Sequence, residues 1–157
     1  MSGAEPGPVP DSAAVADTTL HASTVVFPQG GVLIRGPAGA GKSALALALI
    51  ALGARLVADD RTRLRRDGAR VMARAPEAIA GLIEARGVGL LRASPAGEAA
   101  LALLVDLGRR ETERLPPPRR ADVLGVALPL LHDAGSPYFP AAIRQYLAGG
   151  GRADRQV

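Results

Sequence analysis

Gly36-Pro37-Ala38-Gly39-Ala40-Gly41-Lys42-Ser43 is an unbroken G-x-x-x-x-G-K-S pattern. Triphosphate oxygens need several backbone N–H groups turned into one concavity, and glycine lets the chain turn that sharply and approach that closely. A helix opening at the end of such a loop adds the positive end of its dipole. In this pattern Lys42 bridges the terminal phosphates and the Ser43 hydroxyl ligates Mg²⁺, so ATP and Mg²⁺ are the expected ligands. Lys42 is also the only lysine in the chain. A sequence that uses arginine elsewhere keeps a compact ammonium where a planar fork would not fit between phosphates.

Asp59-Asp60 closes the apolar run Arg55–Ala58. Carboxylates at the carboxyl end of a strand beside a P-loop stand where a metal ion and a general base are wanted. Neighbouring strand residues point to opposite faces, so the two can share a site only if the strand stops there. His21 falls on the expected strand before the P-loop strand. A lone histidine at such a place is more often a satisfied structural group than a catalyst. Glu84-Ala85-Arg86-Gly87 pairs an acid with a base before a glycine-flanked strand, which a salt-bridged turn would also explain.

The elements that must position these groups follow from pattern. Thr19–Phe27 is β-branched enough for a strand, Pro28–Gly31 reads as a turn and Val32–Arg35 as the strand entering the loop. Lys42–Leu52 is a run of helix formers stopped by Gly53. Arg55–Asp60 is a buried-type strand, and Asp67-Gly68 signals a hairpin between Thr62–Arg66 and Arg70–Arg74. Pro76–Glu84 reads as one or two helical turns, and Gly87–Arg92, Leu101–Leu107 and Val123–Leu131 as strands. Pro116–Pro118 marks a loop, and Pro140–Leu147 reads as a closing helix. The expectation is an α/β fold with antiparallel additions.

The 157 residues suit one domain over residues 18–148, with a loose arm over 1–17 and a frayed tail over 149–157. Aromatics make up only 3%, so the core must be Leu, Val, Ile and Ala. The longest apolar run, Ala44–Leu52, is far short of the roughly 20 residues of a membrane span. No membrane partner is expected, and the need for a nucleotide implies a cytoplasmic location. Cysteine is absent, which excludes disulfides and thiolate chemistry. The net charge of +4 comes from clusters interleaved with acids and without stacking aromatics, so no nucleic-acid partner is expected.

His21-Ala22-Ser23, the P-loop, Leu56-Val57-Ala58-Asp59-Asp60 and Leu82-Ile83-Glu84-Ala85-Arg86-Gly87-Val88-Gly89 follow in the order and spacing of the HPr kinase/phosphorylase family. From about Leu20 to Arg114 the chain resembles that family's C-terminal catalytic domain. The resemblance implies a phosphoenolpyruvate carboxykinase-like twisted mixed sheet with flanking helices and a homohexamer. It also implies ATP-dependent phosphorylation of a serine on an HPr-type phosphocarrier protein, reversed by phosphorolysis to pyrophosphate. By resemblance Asp60 is the proton acceptor, His21 tunes it, and Arg114 is a catalytic arginine. Ser43, Glu84 and Asp59 are the metal side of the site. The family's phosphorolysis stretch corresponds to Leu128–Pro137, which lacks a lysine or arginine, so the kinase direction is expected to dominate. A small-metabolite kinase and a regulatory switch with little turnover are the competing readings. The first leaves Glu84–Gly89 without a role, and the second leaves Asp60 without one.

Overall fold

The computed structural model describes residues 17–151, so the arm (Asp17 apart) and the tail beyond Gly151 lie outside the described residues. The chain opens with β1 (Thr18–Leu20) and β2 (Ala22–Phe27), broken at His21, where one strand was expected. The break has a topological cause. β1 pairs antiparallel with β5 (Thr62–Asp67), whereas β2 pairs with β3 (Gly30–Arg35) and β4 (Arg55–Ala58), so the chain must bend between them. His21 takes that bend and is exposed, not on a strand. The turn after β2 is tighter than expected, with only Pro28 and Gln29 outside the Phe27–Gly30 pair.

Helix α1 runs from Lys42 to Ala51, and Gly53 follows at φ +109°, the left-handed residue that ends it. The hairpin of β5 with β6 (Arg70–Arg74) forms as expected, around Gly68-Ala69. Two expectations fail further on. Only Glu77–Ile79 is helical, as a 3₁₀ turn, while Leu82–Ala85 is a strand, β7, paired with β8 (Gly89–Arg92). The reason is alternation: Ile83 and Ala85 go inward and Glu84 outward, a period of two that a helix would scramble. The run Val123–Leu131 is likewise not one strand. Leu124 and Gly125, both at positive φ, turn the chain between β10 (Arg119–Val123) and β11 (Val126–Asp133). The long β9 (Ala99–Arg110) and a closing helix α2 (Phe139–Ala148) complete the fold.

The main sheet runs β1-β5-β6-β9-β3-β2-β4, with β11 on β9 and β10 on β11. Because β1 and β2 are nearly one strand yet lie toward opposite ends of that order, the sheet curls on itself. Each face of β3 serves a different core. Val32 and Ile34 join α1, α2 and Ile83 of β7 on the outside, while Leu33 joins Leu64, Val71, Leu104 and Leu128 in the second cluster. An α/β fold with a twisted mixed sheet and flanking helices is what forms. No helix among the described residues is long and apolar enough to cross a membrane.

Candidate active site

β3 ends at Arg35, which pairs with Asp106 of the parallel strand β9 while β9 runs on to Arg110. The Asp106 side chain accepts from the Gly108 N–H (2.8 Å) and from Arg35 (3.4 Å), which braces the point where β3 turns into the loop. Gly36 lies there at φ +153°. A Cβ on it would meet Leu107 Cβ at 3.2 Å, Ala40 Cβ at 3.3 Å and Gly108 N at 3.3 Å. Gly41 caps α1 in the left-handed region at φ 100°. With those two turns made, the loop curls over the start of α1, and the Lys42 ammonium donates to the carbonyls of Gly36 (2.9 Å) and Pro37 (3.2 Å).

β4 stops at Ala58, which frees the two aspartates that follow from strand alternation. They take opposite roles. Asp59 is 6% exposed, and its carboxylate collects three donors: Ser23 Oγ (2.8 Å) and Ser43 Oγ (2.7 Å) on one oxygen, and the Glu84 N–H (3.0 Å) on the other. Asp60 is exposed and sits at φ 68°, a region that Asp tolerates better than most residues. Ser23 joins the pair, because its hydroxyl also accepts the Asp60 N–H at 3.1 Å. One buried serine on β2 thus bonds the Asp59 carboxylate and the Asp60 backbone, holding both residues beside the P-loop helix.

The cavity above the loop has a volume of about 560 Å³, and its walls include Gly39, Lys42, Ser43, Asp60, Glu84 and Arg86. It brings together the P-loop, the base candidate and the Glu84–Arg86 stretch, with Asp59 directly beneath. His21 and Arg114 do not line it. His21 stands one residue beyond the Leu20–Thr62 pair, close in sequence register to Asp60, and Arg114 lies exposed on the loop after β9. That loop is held by Glu111, whose carboxylate takes two bonds from Arg119 (3.0 and 2.9 Å) and the N–H groups of Thr112 and Glu113. The Arg119 guanidinium holds the Glu111 carboxyl below its ordinary range, with the Glu113 and Thr112 N–H groups helping against burial. His132 of β11 faces the same carboxylate at 3.8 Å.

Ser43 and Asp59 offer hard oxygen donors with Glu84 across the cavity, a set that suits Mg²⁺ rather than a soft metal. Among the described residues no group of three or more acidic or histidine side chains forms a metal cage of its own. Sequence reasoning passed over Ser23 and Asp106 as functional positions. The signal for each was a polar side chain set inside an apolar strand.

A glycine-rich loop feeding a helix, with a buried carboxylate on the helix's first hydroxyl, defines a P-loop α/β protein. The particular family is equally plain: residues 13–100 match the HPr Serine kinase C-terminal domain, and the chain belongs to that family. It is 43% identical over 123 residues to an HPr kinase/phosphorylase of Acidovorax sp., covering 69% of this chain and 39% of the relative. It is 44% identical over 75 residues to one from Brevibacillus brevis, covering 47% and 24%. The chain therefore spans about two-fifths or less of the length of these relatives. The solved Hpr(Ser) kinase/phosphatase from Coxiella burnetii superposes with a TM-score of 0.70 at 26% identity, over 85% of this chain and 95% of that one.

Proposed function

We propose that this chain is an ATP- and Mg²⁺-dependent protein serine kinase acting on an HPr-type phosphocarrier protein. The observation that carries the reading is the division of labour at the end of β4. Asp59 is buried and bonded to Ser43, while Asp60 is free and faces the same cavity as Lys42. A nucleotide switch needs the first carboxylate and has no use for the second. The names of the relatives and of the solved neighbour favour HPr as the acceptor over a small metabolite.

Phosphoryl transfer asks a protein chiefly for positioning and charge neutralisation. In the proposed reaction the serine oxygen bonds the γ-phosphorus, the bond to the β,γ-bridging oxygen breaks, and ADP leaves with that electron pair. Asp60 takes the serine proton. The backbone of Gly36–Ser43 cradles the phosphates and Lys42 spans the terminal pair. Ser43 and Asp59, with Glu84 opposite, would hold Mg²⁺, which supplies charge neutralisation when bound. By the resemblance His21 would act on Asp60, and Arg114 would act only if its loop folds toward the cavity or serves a neighbouring subunit in the proposed hexamer.

In the reverse direction an oxygen of inorganic phosphate bonds the phosphoserine phosphorus, the bond from that phosphorus to the serine oxygen breaks, pyrophosphate leaves, and Asp60 returns the proton to the serine oxygen. Two anions must then share the site, which calls for extra positive charge. Within Leu128–Pro137 the only ionisable groups are His132 and Asp133, and His132 is turned to Glu111. Arg110 does reach this stretch, its guanidinium 2.5 Å from where a Cβ of Gly135 would stand. Because the stretch itself carries no lysine or arginine, the forward reaction should dominate, and Arg110 is the first residue to replace if it does not. The test is ATP-dependent phosphorylation of a purified HPr-type protein, compared with pyrophosphate release from its serine-phosphorylated form at saturating phosphate. ATP turnover that ignores the phosphocarrier would overturn the reading.

A further inference from the structure

Asp60 is the apex of a three-residue turn. The Arg61 N–H donates back to the Asp59 carbonyl at 2.7 Å, and Asp60 between them lies at φ 68°. With its central residue at positive φ, such a turn has the rare and strained hand. A residue keeps a conformation of that kind only where its surroundings leave it no alternative. The restraint here comes from β2. The Asp60 N–H donates to Ser23 Oγ at 3.1 Å, and two residues on, Thr62 Oγ1 donates to the Ala22 carbonyl at 2.9 Å. A hydroxyl has one proton to give. Ser23 gives its proton to the Asp59 carboxylate at 2.8 Å and receives the Asp60 N–H on a lone pair.

A general base works only if its carboxylate lies within hydrogen-bond reach of the hydroxyl it deprotonates. Among the described residues the Asp60 carboxylate bonds to nothing, so its direction is set by the backbone beneath it. Ser23 is the side chain bonded to that backbone. We propose that Ser23 is a positioning residue for phosphoryl transfer, holding the strained turn that aims Asp60 into the cavity. Ser23 is fully buried and touches neither nucleotide nor acceptor, so it acts on the rate through Asp60. The proposal rests on the kinase reading and adds to it how the base is held.

The neighbouring residue supplies the contrast. Thr24 is as fully buried as Ser23, and a buried hydroxyl is costly unless it is bonded. Its partner is Thr62 Oγ1 at 2.9 Å, and because Thr62 gives its own proton to the Ala22 carbonyl, Thr24 is the donor. Two adjacent hydroxyls on β2 thus have separate tasks. Thr24 secures the first residue of β5, and Ser23 secures the turn before it. Thr24 bonds to neither aspartate.

A double-mutant cycle tests this, with ATP and a purified HPr-type protein as substrates. Ser23→Ala should lower kcat by about 10- to 100-fold, less than loss of the base itself, because Asp60 is misdirected rather than removed. The ATP KM and the Mg²⁺ requirement should stay where they are, since Asp59 keeps Ser43 and the Glu84 N–H. In an Asp60→Asn background the same Ser23→Ala change should lower single-turnover rates by no more than about twofold, because the two residues act as a unit. Ser23→Cys fills nearly the same space with a weaker donor and acceptor; its kcat should fall between those of the parent and Ser23→Ala, and it replaces the alanine variant in the cycle if that variant does not fold. Thr24→Val should lower Tm yet leave kcat unchanged. Equal losses from Ser23→Ala with and without Asp60, an equal kcat loss in Thr24→Val, or a loss that saturating Mg²⁺ restores would each overturn this proposal while the kinase reading stood. If the parent transfers nothing to the phosphocarrier, the kinase reading fails first and this proposal with it.

Discussion

Replacing Asp59 by Asn would set an amide against a backbone N–H. The carboxylate takes two hydroxyl donors on one oxygen and the Glu84 N–H on the other. An asparagine oxygen can keep Ser23 and Ser43, but its NH₂ then faces the Glu84 N–H, donor to donor. Turning the amide over keeps Glu84 and removes the acceptor from both hydroxyls, which is worse. At 6% exposure no bulk water is at hand to repair the loss. One buried donor left unpaired, together with weaker bonds to a neutral acceptor, costs about 2–3 kcal/mol. For a domain of this size that lowers Tm by about 4–12 °C. Asp60→Asn should behave oppositely. That side chain is exposed, makes no side-chain bond to the fold, and occupies a left-handed position Asn tolerates as well as Asp, so stability should move by less than about 0.5 kcal/mol. Turnover should instead drop by about 10²–10⁴, with ATP affinity unchanged. Thermal unfolding followed by circular dichroism, paired with a phosphocarrier phosphorylation assay, reads both quantities. If Asp60→Asn were the more destabilising substitution, or Asp59→Asn left Tm where it was, the division of roles would be wrong.

Lys42→Ala should abolish phosphoryl transfer while leaving the fold intact, and Lys42→Arg should fail almost as fully because a planar fork cannot replace a point charge between phosphates. Near-normal turnover by Lys42→Arg would remove the P-loop assignment. Glu84→Gln should raise the Mg²⁺ concentration needed for half-maximal activity, and a titration that does not shift would leave Glu84 as a cavity wall only. Glu111 is held below its ordinary value of 4.5, first by Arg119. A depressed carboxyl adds stability that is complete above that value and disappears as pH falls through the lower folded one. Glu111→Gln should therefore lower Tm at pH 7 by a few degrees, with the gap to the parent closing in acid below about pH 4. A gap independent of pH would mean that shape, not charge, holds the Arg114 loop.

What was legible in the sequence was whatever a short window determines. The P-loop, α1 with Gly53 after it, and the β5–β6 hairpin each depend on residues within a dozen positions, and each formed within a residue or two of its expected limits. Leu82–Ala85 misled because Pro76 and Glu77 start a genuine 3₁₀ turn, and nothing local says that it stops at Ile79. The run through Leu124-Gly125 hid a turn because a leucine at positive φ looks like any other apolar strand residue. The site's central junction was beyond any local pattern. Ser23 reaches Asp59 across 36 positions and Ser43 reaches it across 16, only because the sheet curls and sets β2 between β3 and β4. Yet its members were all present in the motifs. Three conditions acting together, a strand that ends at Ala58, a serine buried on β2 and a hydroxyl at the first turn of α1, leave a single arrangement in which Asp59 satisfies them all. In that arrangement Asp60 has nowhere to point but the cavity, so the exposure of the proposed base is a consequence of how thoroughly its neighbour is buried.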